Sequence, residues 1–370
     1  MHTSVQEIVV AEAVKVEVKV EVEVEVEIEA APAARRKTWR LPTGTTPVLL
    51  AIGAIGLALV PLIGSPFYLQ LFSKIMIMAI FAVSLDLLVG YTGLVSLGHS
   101  AYFGLAGYVI ALVSPQYEAA SLLWTLPLAM LAAGAAALII GLLVLRTSGV
   151  YFIMVTLAFA QMLYYLFHDT KLGGGSDGIY IYVKPELTIA GTRLLNLDDP
   201  AQFYYLIFGL MLAVYFGLRM ILRSPFGHAL VGIKTNEHRM RSLGFQVFWY
   251  KLGAFVLAGM LAGLAGYLAA CQFGYVNPEI LSWHNSGNVL MMLLLGGMGN
   301  LYGAIVGAFS LVLVQELFSS EALFGAIAKH WQLAMGVFIV LIVLLLPNGL
   351  SGLLNRAAQP EPSPNEAEDD

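Results

Sequence analysis

The sequence predicts an all-α polytopic membrane protein, and three observations carry that class. Of the 370 residues, 59% are hydrophobic and 12% charged, where a soluble domain carries about 25% charged residues. The mean hydropathy is +0.80. Apolar stretches recur down the chain, most of them near the roughly 20 residues that a helix needs to cross a bilayer. A disordered chain would be far more polar. Proline and glycine are frequent inside these stretches, as membrane helices tolerate.

The elements follow in order. Residues 1–46 read as a cytosolic leader. Within it, 14–29 run VKVEVKVEVEVEVEIE, the period-2 pattern of a half-buried strand. No turn or partner segment accompanies it, and an isolated strand is unstable in water, so a disordered or self-associating tail is expected. Arg35, Arg36, Lys37 and Arg40 then precede the first apolar stretch and hold the N-terminus in the cytosol. That stretch starts near Pro47, too late for an ordinary signal peptide, and is expected to be an uncleaved helix. A transmembrane domain over 47–355 holds about ten segments (8–10 crossings): 47–65, 69–89, 93–113, 122–145, 150–167, 202–218, 252–271, 286–298, 301–318 and 330–347. The short 286–298 segment is either a buried crossing or a re-entrant piece. Residues 356–370 are acidic and proline-bearing and read as a disordered tail.

Charge sets the expected topology. Six of the twelve Lys/Arg residues between 47 and 355 fall in 219–251: Arg219, Arg223, Lys234, Arg239, Arg241 and Lys251. This is the strongest positive-inside signal in the chain. Counting crossings from a cytosolic N-terminus puts Arg146 and this loop inside and 168–201 outside. Ten crossings return the C-terminus to the inside; nine would leave it outside. Loop 168–201 is expected to be ordered, either contacting a delivering protein or serving as a solvated connector. The formal net charge of −5 comes from the acidic termini, because 47–355 holds twelve basic and eleven acidic residues. The global charge therefore says nothing about nucleic acid; the hydropathy makes the lipid bilayer the expected partner, with no nucleic acid.

An enzyme should show a cluster of nucleophile, base or metal ligands, and none stands out. HExxH, CxxC and GxxxxGK[ST] are absent. GGGSDG at 173–178 lacks the lysine of a phosphate loop and reads as a turn. The single cysteine, Cys271, excludes an internal disulfide and reads as a small buried hydrophobe. No catalytic residue, metal site or cofactor of this chain's own is expected. Two ionisable groups in the apolar region stand out, Asp86 and His99. A carboxylate is costly in lipid and must face protein or water, so Asp86 either makes a hydrogen bond between helices or serves substrate or coupling. His99, with Ser96 beside it, is either a satisfied interior residue or part of the path. Gly299, Gly303 and Gly307 recur every fourth residue, as do Gly259 and Gly263, which suits close helix packing. Gly296 and Gly297 interrupt an apolar run and either pack or open a cavity. Glu279, His284, Asn285 and Ser286 sit at the expected outer mouth.

The basic loop reads SPFGHALVGIKTNEHRMRSLGF over 224–245. Pro225 opens a helix after a turn, 228–242 is expected to form one short helix, and Gly244 closes it. Such a helix suits insertion in a cleft on another protein; the alternative is a basic helix lying on anionic lipid.

These motifs resemble the permease of branched-chain amino acid ABC importers, the LivM type. GYTGLVSLGHSAYFGLAGY at 90–108, the loop 224–245, NPEILSWHNSGNVLMMLLLGGMGNLYGAIVGA at 277–308 and LLPNGLSGLL at 345–354 are similar to that family's signatures, in order, over about 70–355. The resemblance implies a homologous permease partner (LivH type), two ABC ATPase subunits that bind ATP and Mg, and a periplasmic substrate-binding protein, all at the bacterial inner membrane. It implies that the 224–245 loop carries a coupling helix, with Gly232, Glu237 and Gly244 organising the ATPase contact and Arg239 and Arg241 orienting it. Asp86, Ser96, His99, Gly296 and Gly297 are the candidates for the translocation path. Leucine, isoleucine and valine are the expected substrates; another amino acid, urea or a short amide is the same-family alternative. An ion-coupled carrier is the remaining rival, and it should show ion ligands at broken helices in two related halves.

Overall fold

The computed structural model describes residues 45–115, 117–189, 192–320, 325–346 and 349–356, all within the compact unit Gly44–Asp370. The leader's Val/Glu repeat and the acidic tail 357–370 lie outside the described residues. The membrane helices are α1 (Thr45–Leu59), α2 (Pro66–Asp86, continuing as a π-helical segment Leu87–Thr92), α3 (His99–Val113), α4 (Leu122–Val144), α5 (Val150–Asp169) and α6 (Pro200–Arg223). Two short helices follow, α7 (Pro225–Thr235) and α8 (Glu237–Ser242). Then come α9 (Val247–Phe273), α10 (Trp283–Gly296), α11 (Leu301–Ser319), α12 (Trp331–Leu345) and α13 (Gly349–Arg356).

Each of the ten apolar segments lies on a helix. Seven helices among the described residues are long and apolar enough to cross a membrane: α2, α4, α5, α6, α9, α11 and the one opening at Trp331. The other three, α1, α3 and α10, have 15, 15 and 14 residues. At 1.5 Å per residue they reach about 21–23 Å, short of the ~30 Å hydrocarbon core. Of the about ten segments expected (8–10 crossings), seven are therefore long enough on their own among the described residues. α3 is preceded by the non-helical stretch 93–98, and α10 by 274–282, which holds a two-residue strand and a single 3-10 turn at Pro278–Leu281.

The first turns of α3 and α10 meet inside the bundle. Ser100 N–H donates to Ser286 Oγ at 2.8 Å, the Ser286 hydroxyl donates to Ser100 Oγ at 2.9 Å, and Ser100 Oγ donates to the Leu281 carbonyl at 3.0 Å. Both serines are fully buried. The hydroxyls thus satisfy an N–H that the opening turn of α3 leaves unpaired.

Helix α9 is the hub of the packing. In lipid, helices gain nothing by hiding apolar surface from each other, so close backbone approach through small residues takes over. A Cβ on Gly259 would sit 2.5 Å from Ala137 Cβ, and one on Gly263 would sit 2.5 Å from Ala133 Cβ, both of α4. A Cβ on Gly266 would overlap the Phe103 carbonyl oxygen of α3. Tyr267 and Thr125 share a buried hydroxyl bond at 2.8 Å. Gly303 and Gly307 face Gly296 of α10, but Gly299 precedes α11, so the four-residue spacing does not place all three on one helix. Cys271 is fully buried in α9.

The 168–201 loop departs from the all-α expectation. Strands β1 (Ile179–Tyr180) and β4 (Tyr275–Val276) pair antiparallel, and β2 (Glu186–Ile189) pairs with β3 (Thr192–Asn196). Tyr275 Oη donates to the Asp177 carbonyl at 2.7 Å. The 173–178 turn is held tightly: Gly174 has φ 74°, and a Cβ there would overlap the Gly178 carbonyl oxygen.

Gly266→Leu is expected to destabilise the bundle by about 1–3 kcal/mol through overpacking. Gly209→Ala, at an exposed site on α6 with nothing within 4 Å of its Cβ, should stabilise by about 0.5–1 kcal/mol. Thermal unfolding of the two purified variants in detergent checks both signs.

Candidate functional site

The basic loop forms two helices where one was expected. Asn236 breaks them apart with φ −156° and ψ 100°, and its side chain accepts the Arg239 N–H at 2.9 Å as the cap of α8. An asparagine side chain competes with the helical backbone in this way. Gly232 makes the pairing possible, because a Cβ there would lie 2.8 Å from Met240 Sδ of α8. Gly244 ends the unit at φ 87°, a conformation that disfavours any side chain. Ala229, Leu230 and Ile233 of α7 are buried against the bundle.

Glu237 locks this unit to α9. Its two carboxylate oxygens accept from Arg241 at 2.5 Å and from Lys251 at 2.7 Å. Partial burial pushes its carboxyl up, but the Lys251 and Arg241 charges outweigh that, and the net shift is downward. Arg239 is exposed.

A second tie, which the sequence reading did not foresee, joins α7 to the end of α2. Lys234 Nζ donates to the Gly90 carbonyl at 2.6 Å. One turn back, the fully buried Asp86 accepts the Gly299 N–H at 2.8 Å through Oδ1. Gly90 must lack a side chain, since a Cβ there would overlap Asp86 Oδ1 and come 2.6 Å from the Gly299 nitrogen. Gly349 closes the same knot, with its Cβ position 2.5 Å from the Gly297 nitrogen. Asp86, Gly90, Lys234, Gly297, Gly299 and Gly349 therefore meet at the end of the bundle that carries the basic loop. The signal was present in the density of glycines around two signature stretches; the pairing was not.

His99 lies deeper. It is fully buried, with Nε2 2.9 Å from Ser84 Oγ and its ring stacked on Phe81 at 5.5 Å. Ser84 gives its own proton to the Phe81 carbonyl at 2.7 Å, so the ring donates from Nε2, and its buried Nδ1 has no hydrogen-bond partner among the described residues. Ser96 is fully buried and accepts the Gly98 N–H at 3.2 Å. Gly296 packs on the Gly303 carbonyl and Gly297 turns the chain with φ 99°. These candidates belong to the packed interior.

A cavity of about 680 Å³ opens at the opposite end. Tyr164, Asn277, Glu279, Trp283, His284 and Asn285 are among its lining residues. Asp86, Ser96, His99, Gly296 and Gly297 are not among them. Three of the four polar residues picked out at the expected mouth thus share one space, while Ser286 serves the α3–α10 contact. Among the described residues no group of three or more His, Cys, Asp and Glu could hold a metal ion.

Residues 67–346 match the family model described as branched-chain amino acid transport system / permease component. The chain belongs to that family. It is 33% identical over 296 residues to the high-affinity branched-chain amino acid transport system permease protein LivM of Escherichia coli K12, covering 74% of this chain and 68% of that protein. It is 26% identical to the corresponding permease BraD of Pseudomonas aeruginosa, over 74% of this chain and 91% of that protein. The autoinducer 2 import system permease LsrC of Klebsiella pneumoniae is 31% identical over 44% of this chain and 48% of its own length. No solved structure matches the chain.

Two outcomes follow. Asp86→Ala leaves the buried Gly299 N–H without an acceptor and should cost about 1–3 kcal/mol, while Asp86→Asn keeps an acceptor and should cost less; thermal unfolding distinguishes them. Because the Glu237 carboxyl is depressed from its ordinary 4.5, its ion pairs stabilise α8 above that pH and are lost as pH falls through the lowered value. Hydrogen exchange of the α8 amides, corrected for intrinsic rates, should rise on that descent and be high and pH-independent in Glu237→Gln.

Proposed function

We propose that this chain is the permease subunit of an ATP-driven ABC importer that moves leucine, isoleucine and valine across the bacterial inner membrane. The observation that carries the reading is the short α7–α8 unit, docked on the bundle through Lys234 and Glu237, in a chain whose family is named for branched-chain amino acid transport. A small helical unit held at one end of a helix bundle can hand motion from a soluble motor to the helices beneath it. Gly232, Glu237 and Gly244 set its shape, and Arg239 and Arg241 present charge to the motor. The ATP and Mg belong to two partner ATPase subunits. A homologous LivH-type permease completes the membrane pair, and a periplasmic binding protein delivers substrate at the other end. Access alternates between the two sides as the pair shifts between states.

In this reading the chain passes the membrane ten times, with both termini in the cytosol. The ordered loops support it. Tyr204 Oη donates to the Leu57 carbonyl and Gln272 Nε2 to the Gln70 carbonyl, so the end of α1 and the starts of α2 and α6 gather with the end of α9, opposite the basic loop. In this reading the passes through α3 and α10 are completed by the segments that lead into them. A same-family importer of another amino acid, urea or a short amide is the second reading. The partial similarity to a permease named for autoinducer 2 import supports that breadth.

Uptake of labelled leucine in cells without their own branched-chain uptake tests the proposal, with membrane abundance followed by blot. The unmodified chain with its partner subunits should take up leucine. Glu237→Ala and Gly244→Trp should lower uptake by about 2- to 30-fold at normal abundance, the range given by coupling changes of about 0.5–2 kcal/mol. Unchanged uptake in both variants would remove the coupling role. No uptake in the unmodified strain would turn the question to a different substrate.

A further inference from the structure

A second cavity, of about 360 Å³, lies between α2, α9 and α11, and its lining includes Phe67, Leu71, Lys74, Gln272, Phe273 and Glu316. Its volume falls at the lower end of the ~300–1,000 Å³ common for small-molecule sites. Lys74 stands about two turns into α2 from Pro66, and Glu316 about one turn before the end of α11. Ionisable groups inside membrane helices are costly and mark functional positions unless something pairs them. No ion pair or side-chain hydrogen bond engages either group among the described residues. The cavity holds a further polar group in the same state. Gln272 spends its Nε2 on the Gln70 carbonyl at 2.8 Å, and its Oε1 is buried without a hydrogen-bond partner.

A cation, an anion and a buried acceptor on one small cavity, beside three apolar side chains, match a zwitterion that carries an aliphatic group. We propose that this cavity binds the free α-amino acid on its way through the permease. The inference rests on the importer reading above. Lys74 takes the α-carboxylate. Glu316 and the Gln272 carbonyl oxygen take the α-ammonium, and Phe67, Leu71 and Phe273 receive the branched side chain. Charge-assisted hydrogen bonds of this kind are about twice as strong as neutral ones, and leaving the buried Gln272 oxygen unpaired is unfavourable. Phe273 also lines the larger cavity that holds Glu279 and His284, so the two spaces share this residue. The other zwitterion available at this depth is a phosphatidylethanolamine headgroup. Its phosphate and ammonium would fit the same charges, but it offers no short branched chain for the apolar wall.

The test uses the full chain, purified and placed in nanodiscs of phosphatidylcholine alone, and labelled leucine as the probe. Two competitors each lack one charge: 3-methylbutylamine has no carboxylate, and 4-methylpentanoate has no ammonium. On the unmodified chain leucine should compete about tenfold or more better than either. On Lys74→Met the amine should become as good as leucine, and on Glu316→Gln the acid should. That exchange of selectivity is a readout that general misfolding would not produce. Leucine binding with unaltered selectivity in both variants would overturn the proposal, as would loss of leucine binding on adding phosphatidylethanolamine, which assigns the cavity to lipid. An unmodified chain that binds no leucine overturns it too, and the cellular uptake measurement then decides separately whether the importer reading stands.

Discussion

The buried carboxylate of Asp86 constrains much of the basic-loop end of this fold. A carboxylate inside an apolar bundle is sustained only by donors aimed at it, and here the Gly299 N–H supplies one. Making that bond brings the turn before α11 against the end of α2, which leaves no room for a side chain at Gly90. The bare Gly90 carbonyl is then open to Lys234. Through this sequence of necessities, the polar loop between α6 and α9 acquires a fixed position on helices far from it in the chain. The Lys251–Glu237 pair fixes its other side.

Above that knot the fold is held by an absence of side chains. α9 presents Gly259, Gly263 and Gly266 to α4 and α3, and the helices approach until backbone and methyl groups touch. Such contacts rely on dispersion, which is small per atom pair and large in sum. The buried hydroxyl bond of Thr125 with Tyr267 between α4 and α9, and the Ser84–His99 bond between α2 and α3, help fix which faces meet.

Much of the architecture was legible because hydropathy is a local property. Every apolar segment between 47 and 347 falls on a helix, and Gly244 ends the basic unit as its position suggested. What escaped was non-local or conformational. The Asp86–Gly299 and Lys234–Gly90 bonds join residues 213 and 144 positions apart, and nothing in one sequence pairs them. The break at Asn236 was missed because a helical pattern continues on both sides, and only the side-chain cap reveals the stop. The two-residue β1–β4 ribbon is too short to leave a periodic trace. Lys74 and Glu316 lie on apolar segments far apart in the chain, and their common cavity exists only once α2 and α11 are packed. His99, conspicuous in the sequence, proves to be tied to Ser84 and stacked on Phe81 in the interior.

The meeting of the first turns of α3 and α10 has an electrostatic consequence. Each helix start carries the equivalent of roughly half a positive charge, and here two such starts lie side by side in a medium of low dielectric. The hydroxyls of Ser100 and Ser286 bridge them without adding a negative group. A stray proton or sodium ion drifting into the bundle therefore meets a repulsive potential at this depth, of the kind by which half-helix ends exclude cations from other membrane pores. The backbone of two short helix ends thus makes the middle of this bundle unfavourable to cations without any basic side chain.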